Sequence, residues 1–152
     1  QLRCGVLQVG GWDTHANQGG AQGELATRLA ALAEGLWALK QNLGAAYRFT
    51  TVVVMSEFGR TVRENGARGS DHGHGGLIWL LGGNVRGGQI AGQWPGLAES
   101  ALYQGRDVAV TTDFRQVLMP LLGEQFTLSP PQLARVFPSM PAITPLTTLL
   151  KT

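Results

Sequence analysis

Along the first third of the chain the apolar positions change period twice. Leu2 to Gly10 is a short apolar run closed by Gly10-Gly11, the pattern of a buried strand that hands its C-terminal end to a loop. From Gln22 to Leu43 the leucines Leu25, Leu29, Leu32, Leu36, Leu39 and Leu43 alternate steps of four and three, so they share one face of a helix. Gly44 is placed to close it. Phe49 to Met55 then runs β-branched and nearly continuously apolar, as expected of a strand covered on both faces. Strand, amphipathic helix and strand in that order predict a βαβ crossover, with the strands near Val6 and Val53 parallel and close neighbours in one sheet.

Beyond Met55 the pattern loosens. Ser56 to Gly76 is polar and glycine-punctuated without an apolar period, and a loop of that length inside a compact domain is usually functional. The apolar run Leu77 to Leu81 leads into Gly82-Gly83-Asn84-Val85-Arg86-Gly87-Gly88, which fits a tight turn better than an anion cradle because no helix start follows it. Asp113 with Gln116 forms a capping box for a helix over Phe114 to Leu122, kinked at Pro120, and Ser129 with Gln132 forms another for Pro131 to Phe137. The proline- and threonine-rich segment 138–152 is expected to be a surface tail. No repeat or linker divides the chain, so residues 1–152 are expected to be one partial α/β domain with a mostly parallel sheet flanked by helices.

Composition narrows the classes. A chain of 152 residues with 43% hydrophobic content can bury a sizeable core, and a charged fraction of only 14% with 22 glycines fits a covered sheet and tightly turning loops. The net charge is +2, the lysines are Lys40 and Lys151, and no basic run exists, which argues against a nucleic-acid partner. No stretch reaches the ~18 apolar residues of a membrane span. Cys4, without a partner for a disulfide, lies in the apolar Cys4-Gly5-Val6-Leu7 and is expected to be buried. Trp12, Trp37, Trp79 and Trp94 are expected to pack in or at the edge of the core, Trp12 alternatively walling a site. Because the chain opens inside a predicted strand without a start Met, it is expected to be a fragment or a processed product, and its lack of a signal pattern says nothing.

The candidate chemistry lies in two loops that each follow a predicted strand. His15 is in the first, beside Asp13; His72 and His74 are in the second, beside Asp71. In open α/β sheets ligands gather at the C-terminal ends of strands, which would bring these loops together. Carboxylate oxygen with neutral imidazole nitrogen suits zinc, and manganese as the oxygens increase. Glu57 and Arg60 bracket the tip of the second strand, where an arginine fork could grip a phosphate or sulfate, or the two could simply pair with each other. Arg63 and Arg68 read as solvated loop charges.

Gly11-Trp12-Asp13-Thr14-His15, Ser56-Glu57-Phe58-Gly59-Arg60-Thr61 and Gly69-Ser70-Asp71-His72-Gly73-His74-Gly75, in this order, resemble the C-terminal half of domain-of-unknown-function family 1501. The resemblance runs from about Gly5 to Phe137. Proteins of that kind are bacterial, exported through a twin-arginine signal, and related to sulfatases within the alkaline phosphatase superfamily. The resemblance implies a periplasmic or extracellular protein, a mostly parallel sheet, and one or two divalent ions held over a nucleophile.

Residue by residue, Asp71 and His72 match the superfamily's metal-binding Asp-His-Gly element, and Asp13 and His15 match its earlier Asp and His, although these are two positions apart here where the superfamily commonly has four. No histidine follows His74, so either His74 takes the place of the superfamily's later His or one metal is not fully held. Thr112-Asp113-Phe114-Arg115 resembles a structural element before the last core helix. The catalytic nucleophile is implied to come from an N-terminal half outside this chain. The implied function is the metal-binding portion of a hydrolase for small phosphate or sulfate esters; the alternative is a non-catalytic, metal-stabilised binding or scaffold domain of the same fold.

Overall fold

The computed structural model describes residues 3–139 and 143–151. In chain order it contains helix α1 (Glu24–Leu43), a 3-10 turn (Gly44–Phe49), strands β1 (Thr51–Val54), β2 (Gly59–Arg60), β3 (His72–Gly73), β4 (Trp79–Gly82), β5 (Leu102–Tyr103) and β6 (Asp107–Val108), then helices α2 (Phe114–Phe126) and α3 (Pro130–Val136). The class is mixed α/β. The expected parallel sheet is not what forms: every strand pair among the described residues is antiparallel, β1 with β4, β2 with β3 and β5 with β6.

The difference begins at the N-terminal run. Residues 3–10 form no strand, and Val6 and Leu7 are 95% and 87% exposed. A strand exists only where a neighbour takes its N–H and C=O groups, and β1 takes its ladder from β4, with Thr51 opposite Gly82 and Val54 opposite Trp79. The helix meant to cross between the two strands forms where its leucine period predicts, and ends at Gly44 with φ +50. None of its residues is buried, and Trp37 remains 61% exposed. Cys4 is exposed as well, Trp94 stands largely in solvent, and Trp79 is part-exposed rather than buried in a core.

The core lies in the C-terminal half. Val85, Val117, Leu121, Leu149 and Leu150 form it, with Val53 and Leu80 from the β1/β4 pair and Ile78 just before β4 packed against it. Leu149 and Leu150 belong to the segment expected on the surface. Val85 bridges Leu150, Arg86 N–H donates to the Leu149 carbonyl at 2.9 Å, and Lys151 N–H to that of Asn84 at 2.9 Å, so the tail is stitched along the turn after β4. α2, which supplies Val117 and Leu121 to this core, and α3 after it carry the expected capping boxes, Asp113 with Gln116 and Ser129 with Gln132. α2 continues four residues past the expected Leu122 to Phe126, with Pro120 inside it. No helix among the described residues is long and apolar enough to cross a membrane.

Candidate metal centre

The polar stretch between β1 and β4 is folded back on itself by the β2/β3 pair, in which Arg60 stands opposite His72 and Gly59 opposite Gly73. Its inner turn, residues 65–70, docks along the loop before α1. Asn17 and Gln18 donate their N–H groups to the carbonyls of Ala67 and Arg68 at 3.0 and 2.9 Å, and Ser70 donates to that of Thr14 at 3.2 Å. The approach is close enough to demand glycine at 69, where a Cβ would lie 2.2 Å from the His15 carbonyl carbon. Beneath this seam Thr14 and Ser70, both buried, donate their hydroxyls to one oxygen, Gln18 Oε1, at 2.8 and 2.6 Å.

The docking brings Asp13, His15, Asp71 and His72 together. His72 Nε2 is 2.8 Å from Asp13 Oδ1, His15 Nε2 is 3.1 Å from that same oxygen, and the two Nε2 atoms are 3.1 Å apart. Asp13, His15 and His72 thus form a group of three donors able to hold a metal ion. Separations of about 3 Å are what neighbouring ligands keep around one ion at bond lengths of ~2.0–2.1 Å, so the donor set fits a small divalent cation. Asp71 faces the outer side of this group: its Oδ1 lies 3.1 Å from His15 Nδ1. Carboxylates flank both ring nitrogens at the same 3.1 Å, Asp71 at Nδ1 and Asp13 at Nε2, but Asp13 Oδ1 is already engaged by Arg60 and His72, which favours a neutral His15 ring with its proton on Nδ1 and its lone pair at Nε2. The side chains of Asp13, His15 and His72 are about half exposed, which leaves the group open to solvent. Phe58 stacks on the His72 ring at 4.1 Å.

Electrostatics favour an ionised carboxylate here. The hydrogen bond with His72 and that from Arg60 hold Asp13 below its ordinary pKa, against a smaller opposing push from desolvation; Asn65 and His15 do the same for Asp71. The remaining candidates are placed differently. Arg60 donates to Asp13 Oδ1, to the Trp12 carbonyl at 2.9 Å and to the Ser70 carbonyl at 2.8 Å, tying both loops together as a strut. Glu57 is exposed and is not its ion-pair partner.

His74 turns to a residue that sequence reasoning missed. Asp107 is 0% exposed, and its Oδ2 accepts from His74 N–H at 2.6 Å and faces His74 Nδ1 at 2.9 Å. Burial pushes the Asp107 pKa up, but these bonds and that of Arg106 outweigh it and hold the group ionised. The signal available in the sequence was the turn before it, where Gln104 and Gly105 both take positive φ in a three-residue hairpin loop that delivers Asp107 beside Thr61 and His74.

The fold and the site define a mixed α/β chain that carries, on two interlocked loops, an open Asp/His/His group able to hold a metal ion. The chain belongs to the family described as protein of unknown function DUF1501, whose model matches residues 1–137. Neither the curated proteins nor the solved structures contain a match to it.

Proposed function

We propose that this chain is the divalent-metal-holding portion of an exported metallohydrolase-like protein that acts on small phosphate or sulfate esters. The observation that carries the reading is the convergence of Asp13 Oδ1, His15 Nε2 and His72 Nε2 within 2.8 to 3.1 Å on an open face. Two imidazoles and one carboxylate suit zinc, or manganese where further oxygens join, and leave coordination positions free, as in catalytic rather than structural sites. A divalent ion held there supplies Lewis-acid polarisation of an ester oxygen. The chain's own residues prepare for it. Asp13 is ionised, His15 is oriented by Asp71, Phe58 limits the swing of the His72 ring, and Arg60 keeps a positive charge beside the donors while bracing the two loops. The nucleophile, in this reading, comes from a segment outside the chain.

A second reading has an observation of its own. The donors come from positions 57 to 59 residues apart, so an ion here also cross-links two loops and would stabilise a binding or scaffold domain without turnover. One experiment tests both. The chain would be loaded with zinc or manganese, its metal content and thermal unfolding measured, and a panel of phosphate and sulfate mono- and diesters assayed on the longer protein that contains it. Stoichiometric metal lost in His72→Ala, with metal-dependent turnover, is the expected result. Metal uptake and a raised Tm without turnover would select the scaffold reading; no uptake would sink both.

A further inference from the structure

We propose that Asn65 is the positioning residue of this centre, acting through Asp71 to set which nitrogen of His15 faces the other donors. The proposal rests on the metal reading above and extends it to a residue outside the donor set. The Asn65 amide is fully engaged. Its Nδ2 donates to Asp71 Oδ1 at 2.9 Å and to the His15 carbonyl at 3.0 Å, while its Oδ1 accepts from the Ala67 and Gly69 N–H groups at 2.9 and 3.0 Å. Two N–H donors on one side and two oxygens on the other leave a single consistent orientation for the amide. A closed turn then fixes that orientation in space, because the Asn65 N–H also donates to the Gly69 carbonyl at 2.9 Å.

What this amide holds is an exposed aspartate. The Asp71 side chain is 55% exposed, and nothing about its place on the loop would by itself keep it against His15 rather than in water. Asn65 binds the same Oδ1 atom that faces His15 Nδ1, and it binds the His15 backbone as well, so ring, carboxylate and main chain are referred to one rigid group. With Asp71 so held, Nδ1 donates to it in preference to Nε2 donating to Asp13, whose Oδ1 is already engaged by Arg60 and His72, and Nε2 keeps its lone pair. With Asp71 released, Asp13 is the carboxylate left beside the ring, and the Nε2–H tautomer that donates to it presents an N–H where a ligand atom is required.

Two variants of the full chain separate this role from a general loss of structure. Asn65→Ala removes every side-chain bond of the residue. Asn65→Asp retains an oxygen for Ala67 and Gly69 but replaces the donor by a second acceptor, which repels Asp71 from its place. Each would be followed by nitrogen-15 NMR of the His15 ring in the metal-free chain, at a pH where the ring is neutral, and by zinc affinity in competition with a chromophoric chelator. Amide spectra would check the fold.

In the parent chain His15 is expected in the Nδ1–H form. In folded Asn65→Asp that preference is lost and zinc affinity falls by about 10- to 100-fold. A folded Asn65→Asp chain with the parent tautomer overturns the proposal, and so does a tautomer shift that leaves zinc affinity unchanged. If the parent chain takes up no zinc, the metal reading fails, while the tautomer comparison still decides what Asn65 does.

Discussion

At Gly69 one missing methyl group decides whether the two loops of the centre can meet. The space a Cβ would need is filled by the His15 and Ala16 backbone, which cannot swing aside as a side chain can. Gly69→Ala is therefore expected to cost about 1–3 kcal/mol of stability by overpacking and to weaken zinc binding, because relief of the clash moves Asp71 and His72 away from Asp13 and His15. Thermal unfolding and a zinc competition titration check the two effects, and a variant that binds zinc like the parent would show that the seam is softer than its contacts imply. The residues of the centre were legible because each is a scarce type in a repeated pairing, an Asp beside a His in each of two loops. Their division of labour was not. That Asp71 faces the far nitrogen of His15, that Arg60 is a strut, and that His74 leaves the group for Asp107 follow from distances, which spacing along a chain does not encode.

Among the elements, those governed by local bonds form as the sequence predicts. Asp113 is an example: its carboxylate accepts the Arg115 N–H at 2.9 Å and pairs with the Arg115 guanidinium, and the Gln116 side chain answers by accepting the Asp113 N–H at 3.0 Å. Removing this cap in Asp113→Ala is expected to cost about 1 kcal/mol at neutral pH. The pairing with Arg115 lowers the Asp113 pKa below its ordinary 3.8. A depressed carboxylate stabilises above its unfolded pKa, and the contribution is lost as pH falls through the folded value. The gap between the parent and Asp113→Ala should thus be full at neutral pH and narrow in acid, as pH falls through the lowered folded value. Urea unfolding across a series from neutral into acid pH measures it, and a gap that does not narrow would mean that the carboxylate charge contributes little. The β2/β3 and β5/β6 pairs were not legible, since two-residue ladders have no period to detect and are set by the loops they join.

The chain as a whole leaves much apolar surface uncovered. Leu29, Trp37 and Leu39 along α1, Val6 and Leu7 before it, and Ile90 and Trp94 after β4 are all exposed. An apolar surface of this extent favours association. The isolated chain is expected to self-associate in sedimentation velocity with rising concentration, and Trp37→Glu with Leu39→Glu to reduce the effect without altering the helical circular dichroism. A parent chain that stays monomeric across the concentration series would refute this. The βαβ expectation failed at the same scale. The helix and the second strand form where their periods place them, yet β1 pairs with β4, and residues 3–10 find no ladder.

The sequence by itself determined what short-range physics governs: the extent of α1 from its leucine spacing, the starts of α2 and α3 from their capping boxes, and the two loops in which Asp and His stand side by side. Only the tertiary structure decided which strand β1 would choose, that Leu149 and Leu150 would enter the core, and that donors 57 to 59 residues apart would meet within 3.1 Å. A cap or a helical period is satisfied by bonds within a few residues and can be read locally. Strand partners and ligand sets depend on contacts that close long loops, and which of these form is decided by what the rest of the chain leaves unpaired.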